Sequence, residues 1–312
     1  MNRLSLVEGT LPPSSIEDLH RCVLSWYASH RRELPWRDES DPYRILVSEI
    51  MLQQTGVGRV TPIYKRFIER FPSFEALAEA SRQDVMRAWA GAGYNRRAIY
   101  LHECSRIVCR DHGGRLPADP SVLATFPGLG PYTVAAVLSF AFHRDVPALD
   151  TNIRRVLGRV FGKSDANDRD LRAIALRLVP EGRGSDWNQA LMDLGATVCL
   201  ATKPRCLWCP LRESCALAGE SVGMGERPSR RVAERHEPYL GSRRFFRGKI
   251  VAILRDLPAG TTTSVDAVLD RIKPDWTSAD QPWLEDIIRG LVADGLAMIV
   301  DSGGENRLAA PR

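Results

Sequence analysis

Along most of this chain apolar residues recur at steps of three and four, the period of a helix with one buried face. Leu19, Val23, Leu24 and Trp26 form the first such stripe. The helix they predict begins near Ile16, with Ser15 as a candidate cap, after a loose segment over 1–15. The same period predicts helices over about 43–55, 58–70, 74–80, 82–90, 95–111, 119–124 and 131–143, then 151–161, 168–178 and 185–197. Strand-like alternation is scarce before the C-terminus. Residues 219–242 break the pattern: Gly219, Gly223, Gly225 and Pro228 accompany Arg227, Arg230 and Arg231, as in an exposed linker. Beyond it, 243–256, 263–272 and 280–294 read as helices. Leu296–Val300 and Arg307–Ala309 flank a turn centred on Gly303-Gly304 and read as a hairpin. Three helices and a hairpin predict a small winged-helix-like domain.

Length and composition add little to this mostly α reading. A chain of 312 residues suits about two domains, and 44% hydrophobic with 26% charged residues is ordinary for a globular protein. No apolar run has the length of a membrane span, so no membrane association is expected. No basic segment followed by an apolar stretch opens the chain, which predicts a cytoplasmic location with reduced thiols. A net charge of +5 and a pI near 8.9 are compatible with nucleic acid without requiring it. Arg243, Arg244, Arg247 and Lys249 cluster at the start of the last domain; they read as a phosphate-binding patch or as a solvated basic face.

Four cysteines carry the sharpest chemical signal. Cys199, Cys206, Cys209 and Cys215 are separated by six, two and five residues. Thiolates so close in the chain suit one metal centre, a four-iron, four-sulfur cluster or a structural zinc. The spacing matches neither a ferredoxin nor a usual zinc finger, and disulfides are the weakest reading. Cys22, Cys104 and Cys109 read as ordinary buried thiols in helices.

Three further strings bear chemistry. Phe126-Pro127-Gly128-Leu129-Gly130-Pro131-Tyr132-Thr133 links two helices, and Gly128 and Gly130 permit a tight turn whose bare N–H groups suit a phosphate oxygen. The plain alternative is a helix–helix connection. Asp150 stands at the start of the next helix, either as a simple N-cap or as a functional carboxylate. Capping bonds would keep it ionised. On a helix over 43–55, Leu46, Glu49, Ile50 and Gln53 share one face, so Glu49 lies among apolar neighbours. It is either a buried, hydrogen-bonded glutamate or a general acid with a raised pKa.

Together these strings resemble the MutY adenine DNA glycosylases, in the endonuclease III-like helix-hairpin-helix/Gly-Pro-Asp superfamily. The resemblance covers roughly residues 20–218. Its residues are Trp36-Arg37, Ser48-Glu49-Ile50-Met51-Leu52-Gln53-Gln54-Thr55, the glycine turn, Asp150, Asn188 to Ala196 and the cysteine loop. It implies a two-lobed helical glycosylase fold. A [4Fe-4S] lobe takes 15–30 and 145–218, and a six-helix lobe takes 31–144. A linker over 219–242 leads to the winged-helix-like domain at 243–312.

The resemblance also implies site roles. The cluster is held by Cys199, Cys206, Cys209 and Cys215. Glu49 protonates adenine, Asp150 stabilises the sugar cation and Asn152 supports it. Trp36, Arg37 and Gln189 line the base pocket. Leu52, Gln54 and Tyr94 contact the DNA stack, and Gly128 and Gly130 meet a phosphate. Strand-cleaving relatives carry lysine where this chain has Tyr132, and no lysine occurs in 121–162, so hydrolysis without strand cleavage is implied. The implied partner is double-stranded DNA with a mismatch or an oxidised guanine, bound by a monomer.

The chain departs from MutY at Thr151-Asn152, typically Gly-Asn, and at Tyr94-Asn95-Arg96, typically Tyr-Tyr-Ser. No Nudix-like string follows the cysteines. Two other functions stay open: a thymine/uracil mismatch glycosylase, and a non-catalytic cluster protein that binds distorted DNA.

Overall fold

The computed structural model describes residues 13–218, 239–302 and 305–311. Among them the chain is mostly helical: α1 Pro13–His30, α2 Pro42–Leu52, α3 Val57–Arg70, α4 Phe74–Ala78, α5 Arg82–Ala88, α6 Arg96–His112 and α7 Pro120–Leu123. Then come α8 Pro131–Ala141, α9 Thr151–Val160, α10 Asp168–Leu178, α11 Gly184–Thr197, α12 Arg243–Asp256, α13 Val265–Ile272 and α14 Gln281–Ala293. Three short strands, β1 Thr262–Ser264, β2 Met298–Ser302 and β3 Glu305–Ala309, complete it. No helix among the described residues is long and apolar enough to cross a membrane.

The chain forms two compact units. The first takes residues up to Glu49, then Ala118–Thr125 and 129 onward through the cysteine loop. In it α11 packs against both α1 and α9. Leu19, Val23 and Tyr27 of α1 meet Ile153, Leu157, Trp187, Leu191 and Leu194, with Leu24 and Trp26 at the margin. The apolar stripe of α1 is therefore as expected, but the helix starts at Pro13, so Ser15 lies inside it. Proline's fixed φ and missing N–H suit a first helical turn. Cys104 is buried as expected, whereas Cys22 is exposed and Cys109 half-buried. Leu19, Val23 and Tyr27 take the inner face of α1, which turns Cys22 outward.

The second unit holds Ile50–Pro117, Phe126–Gly128 and the C-terminal residues. Its C-terminal part is winged-helix-like: α12–α14 against an antiparallel sheet of order β1-β3-β2. Ser302 of β2 pairs with Glu305 of β3, and the turn expected at Gly303-Gly304 lies outside the described residues. Most of the expected linker, 219–238, also lies outside them. The helix expected from 263 begins instead at Val265. Thr262–Ser264 forms β1 beside β3, and Ser264 caps α13 by accepting from the Ala267 N–H. β-Branched threonines favour the extended conformation, and serine favours the cap.

The C-terminal helices share their core with Met86 and Ile99 of α5 and α6. The Gln83 amide donates to the Leu254, Arg255 and Leu257 carbonyls at 3.4, 3.2 and 2.8 Å. It thereby satisfies carbonyls that the end of α12 leaves open.

Candidate active site

Glu49 sits in α2 with Tyr43, Leu46, Val47 and Ile50, all buried, and is itself only 5% exposed. α2 ends at Leu52, so Gln53 lies in the following turn rather than on its face. From α8, whose N-cap is Gly130, the Tyr132 hydroxyl donates to Glu49 Oε2 at 2.9 Å. Burial pushes the Glu49 carboxyl up to about 7; the Tyr132 bond and Arg37 oppose this, and the charge of Asp150 adds to it. Tyr132 is raised well above the usual phenol range, first by burial and then by both carboxylates, so it stays protonated as a donor.

Asp150 is the N-cap of α9 and accepts from the Ile153 N–H at 2.7 Å. Asn152 Nδ2 donates to its other oxygen at 2.7 Å. These bonds favour the ionised form, yet the net shift of Asp150 is upward, because burial outweighs them. The expected capping bond is present and favours the ionised form, with burial working against it. Asn152 in turn accepts from Arg155 Nη2 at 2.8 Å, and Arg155 Nε donates to the Cys199 carbonyl at 2.7 Å. A hydrogen-bonded chain therefore runs from Asp150 to the first cysteine of the loop. Gly195 is required there: a Cβ on it would fall 2.5 Å from the Asn152 Cβ, so only glycine lets α11 approach α9 this closely.

A second polar group surrounds Arg37. Its guanidinium donates to Gln189 Oε1 and to Asp193 Oδ1, each at 2.5 Å. Asp193 is fully buried and also binds Arg32, while Tyr27 donates to Gln189 at 2.9 Å. Trp36 is buried beside them in the chain. Asn188, one residue before Gln189, accepts from the Ala148 N–H and donates to the Val146 carbonyl. It thereby fixes the segment that leads into Asp150.

In the second unit, Gln54 and Tyr94 have φ of 56° and 47°, left-handed values that strain a non-glycine residue. Both are exposed. Arg97 holds this arrangement: its buried guanidinium donates to the Ile50 and Met51 carbonyls at 2.8 Å and to Gln53, Thr55, Ala92 and Gly93. It also lies over the Trp89 and Tyr94 rings. Leu52 is half-buried at the end of α2. Gly128 has φ of 77°, and a Cβ on it would meet the Tyr100 ring at 2.7 Å. Its carbonyl accepts from the Gln53 amide.

All four loop cysteines line one cavity with Val156, Val160, Leu194, Val198 and Leu211, and none is in a disulfide. Cys206 opens a short 3₁₀ turn, Cys206–Trp208. Arg159 Nη1 donates to Cys199 Sγ at 3.4 Å and to the Leu200 carbonyl at 2.7 Å. Among the described residues no three Cys, His, Asp or Glu side chains form a group fit for a single ion. The thiols stand around the cavity instead.

Residues 47–181 match the family model of the HhH-GPD superfamily of base excision DNA repair proteins. The chain is 42% identical over 291 residues to an adenine DNA glycosylase of Mycolicibacterium smegmatis, covering 92% of this chain and 94% of that protein. This chain is a MutY-type member of the HhH-GPD superfamily. An adenine DNA glycosylase of Mycobacterium tuberculosis is 43% identical over 250 residues, 78% of this chain and 80% of the relative. The solved structure of a thermostable thymine-DNA glycosylase superposes with a TM-score of 0.62 at 33% identity, covering 65% of this chain and 96% of that one. The MutY-type chain is thus a DNA glycosylase of the base excision repair class.

Within the first unit of this MutY-type protein the structure brings together Glu49, Tyr132, Asp150 and Asn152, and separately Arg37 and Gln189. Leu52, Gln54, Tyr94 and Gly128 belong to the second unit. Sequence reasoning missed Arg97, Asp193, Asn188 and Arg155 as parts of the machinery. Gln189 and Asp193 lie four apart on α11, a helical spacing that could have marked Asp193 beside the expected Gln189.

Proposed function

We propose that this protein is a monofunctional adenine DNA glycosylase that removes adenine facing 8-oxoguanine or guanine in double-stranded DNA. The observation that carries the reading is the buried Glu49–Tyr132 pair beside Asp150, with Glu49 poised near neutrality. A carboxyl poised there is a competent general acid at physiological pH. Protonated Glu49 gives its proton to the adenine ring as the N-glycosidic bond breaks and the bonding pair leaves with the base. The Asp150 carboxylate stabilises the cationic sugar, and water adds at the anomeric carbon, its released proton returning to the Glu49 carboxylate. Asn152 and the Ile153 N–H hold Asp150 in place. Arg37, Gln189 and Trp36 line the pocket for the base.

A panel of duplexes with adenine, thymine or uracil facing 8-oxoguanine or guanine tests this. Adenine release is expected, with strand breaks only after alkali, because the position of Tyr132 offers no amine for a Schiff base. A covalent adduct trapped by borohydride in high yield would refute the monofunctional reading. The likeness to a thymine-DNA glycosylase supports the second reading, thymine or uracil release opposite guanine, which the same panel separates.

The cysteine cavity fits a [4Fe-4S] cluster better than zinc. Four thiolates on one zinc ion lie about 3.8 Å from one another, given Zn–S bonds of ~2.3 Å, and among the described residues the side chains form no group fit for a single ion. When bound, the cluster ties the loop together by four Fe–S bonds. This chain's residues contribute the apolar walls and the Arg159 contact at Cys199. Protein purified without oxygen should be brown and hold about four irons. A colourless protein holding one zinc would exclude the cluster.

A further inference from the structure

One arginine acts on the acid of the first unit. The Arg37 side chain is only 7% exposed, and its charge already draws the Glu49 carboxyl down from where burial alone would put it. Among the described residues Arg37 is ion-paired with Asp193 and not with Glu49. The difference matters, because a directly paired cation lowers a carboxyl pKa by about 1–3. Paired with Arg37, Glu49 would be ionised at neutral pH and could give no proton.

The hold on Arg37 comes from α11. Gln189 and Asp193 lie one helical turn apart there and take the two ends of the guanidinium. Nη1 donates to Gln189 Oε1 and Nη2 to Asp193 Oδ1, each at 2.5 Å. Tyr27 donates to the same Gln189 oxygen at 2.9 Å, and Gln189 Nε2 donates to Ser185 Oγ at 3.1 Å, which fixes the amide. Asp193 is fully buried; its Oδ2 accepts the Arg32 backbone N–H at 3.0 Å, and Arg32 Nε donates to its Oδ1 at 2.7 Å. A charge-assisted pair shielded from water in this way is strong. Arg37 Nε is buried and makes no hydrogen bond among the described residues, so a guanidinium released from Asp193 would seek a new acceptor. The other groups that act on Glu49 are Tyr132 and Asp150. Tyr27, with Arg31 and Asp186 around it, flanks the Arg37–Asp193 pair. A move of Arg37 towards Asp150 would act on Glu49 in the same sense, because the Asp150 charge holds the Glu49 carboxyl up.

We propose that Asp193 is a positioning residue for the acid: it keeps Arg37 bound to α11 and so prevents the ion pair that would leave Glu49 ionised. The proposal rests on the glycosylase reading above. Asp193 acts through Arg37 alone. Without the Asp193 charge, Arg37 draws the Glu49 carboxyl further down, and the acid form vanishes at a lower pH. Without Arg37, the Glu49 carboxyl rises, and Asp193 has nothing left to act through.

The test follows single-turnover adenine release at saturating enzyme against pH. It compares wild type with Asp193→Asn, Asp193→Glu, Arg37→Gln and the double variant Arg37→Gln/Asp193→Asn. Asparagine keeps an oxygen for both arginines and removes only the charge. The alkaline fall in rate should then begin about one pH unit or more lower, a loss of about tenfold at alkaline pH. Asp193→Glu, which restores the charge, should bring the fall back towards its wild-type place. Arg37→Gln should move the fall to higher pH, and adding Asp193→Asn should leave it there. A merely structural Asp193 would lower the rate or the melting temperature without moving the fall. A fall at the wild-type pH in Asp193→Asn, or a double variant that departs from Arg37→Gln, would overturn the proposal. If Asp193→Asn does not fold, Arg37→Gln decides, since Asp193 keeps Arg32 as its partner there: an unmoved fall rejects the proposal and a fall at higher pH supports it. Titration of ¹³C-labelled glutamate carboxyls by NMR, with Glu49 assigned from its loss in Glu49→Gln, reads the same shifts without turnover. If wild type releases no adenine from any duplex, the function reading fails, and this titration still decides. A Glu49 midpoint lowered in Asp193→Asn supports the role of Asp193, and an unchanged one rejects it.

Discussion

Glu49→Gln lowers the single-turnover rate of adenine release by about 10²–10⁴-fold, the usual worth of a general acid. The amide fills the same buried space and can still meet the Tyr132 hydroxyl, so folding and duplex binding stay near wild type. What is lost is the proton. The wild-type pH profile carries the same information. The carboxyl, pushed up to about 7 by burial, is protonated below that value and ionised above it. Release by wild type should therefore fall tenfold per pH unit on the alkaline side, as the acid form vanishes. In the glutamine variant this fall should be absent. Tyr132→Phe supplies a further sign: the Tyr132 bond favours the ionised carboxylate, so removing it moves the alkaline fall to higher pH. A profile that is flat in wild type, or a glutamine variant near the wild-type rate, would remove Glu49 from the acid role.

Asp150→Asn should cost about 10²–10³-fold in the same assay, the scale of losing one preorganised electrostatic group at a developing charge. This substitution separates two roles that coincide at one residue. Asparagine caps helices about as well as aspartate, so its side-chain oxygen can keep the bond from the Ile153 N–H, and α9 should stay intact. The negative charge alone disappears. Asp150→Ala, by contrast, loses the cap as well, worth about 1 kcal/mol, and should melt at lower temperature. An asparagine variant with normal rate and normal melting would reduce Asp150 to a cap.

Much of the helical framework was legible in the chain because it is written locally. The apolar stripe of α1, the ten-residue reach of α9 and the extents of α10 and α12 follow from the spacing of side chains that share a helix face. The cysteine loop, the glycine turn and the string around Glu49 were legible for a different reason: close spacing in the chain already limits where those groups can go. The pairing of β1 with β3 was not, since its partner lies more than forty residues away and a three-residue strand has no period of its own. The basic cluster at 243–249 looked uniform in the sequence. Asp286, Asp294 and the Ile272 carbonyl, all remote in the chain, engage Arg243, Arg247 and Lys249, while Arg244 has no carboxylate partner among the described residues and lies over the Tyr239 ring. The same holds for ionisation. Capping is a local interaction and predicts an acidic Asp150, whereas the upward shifts of both Asp150 and Glu49 come first from burial. Desolvation depends on everything packed around a carboxyl. The sequence, through its resemblance, already put forward Glu49 as the acid and Asp150 as the anion; only the tertiary structure decided the burial that lifts the Glu49 carboxyl to about 7.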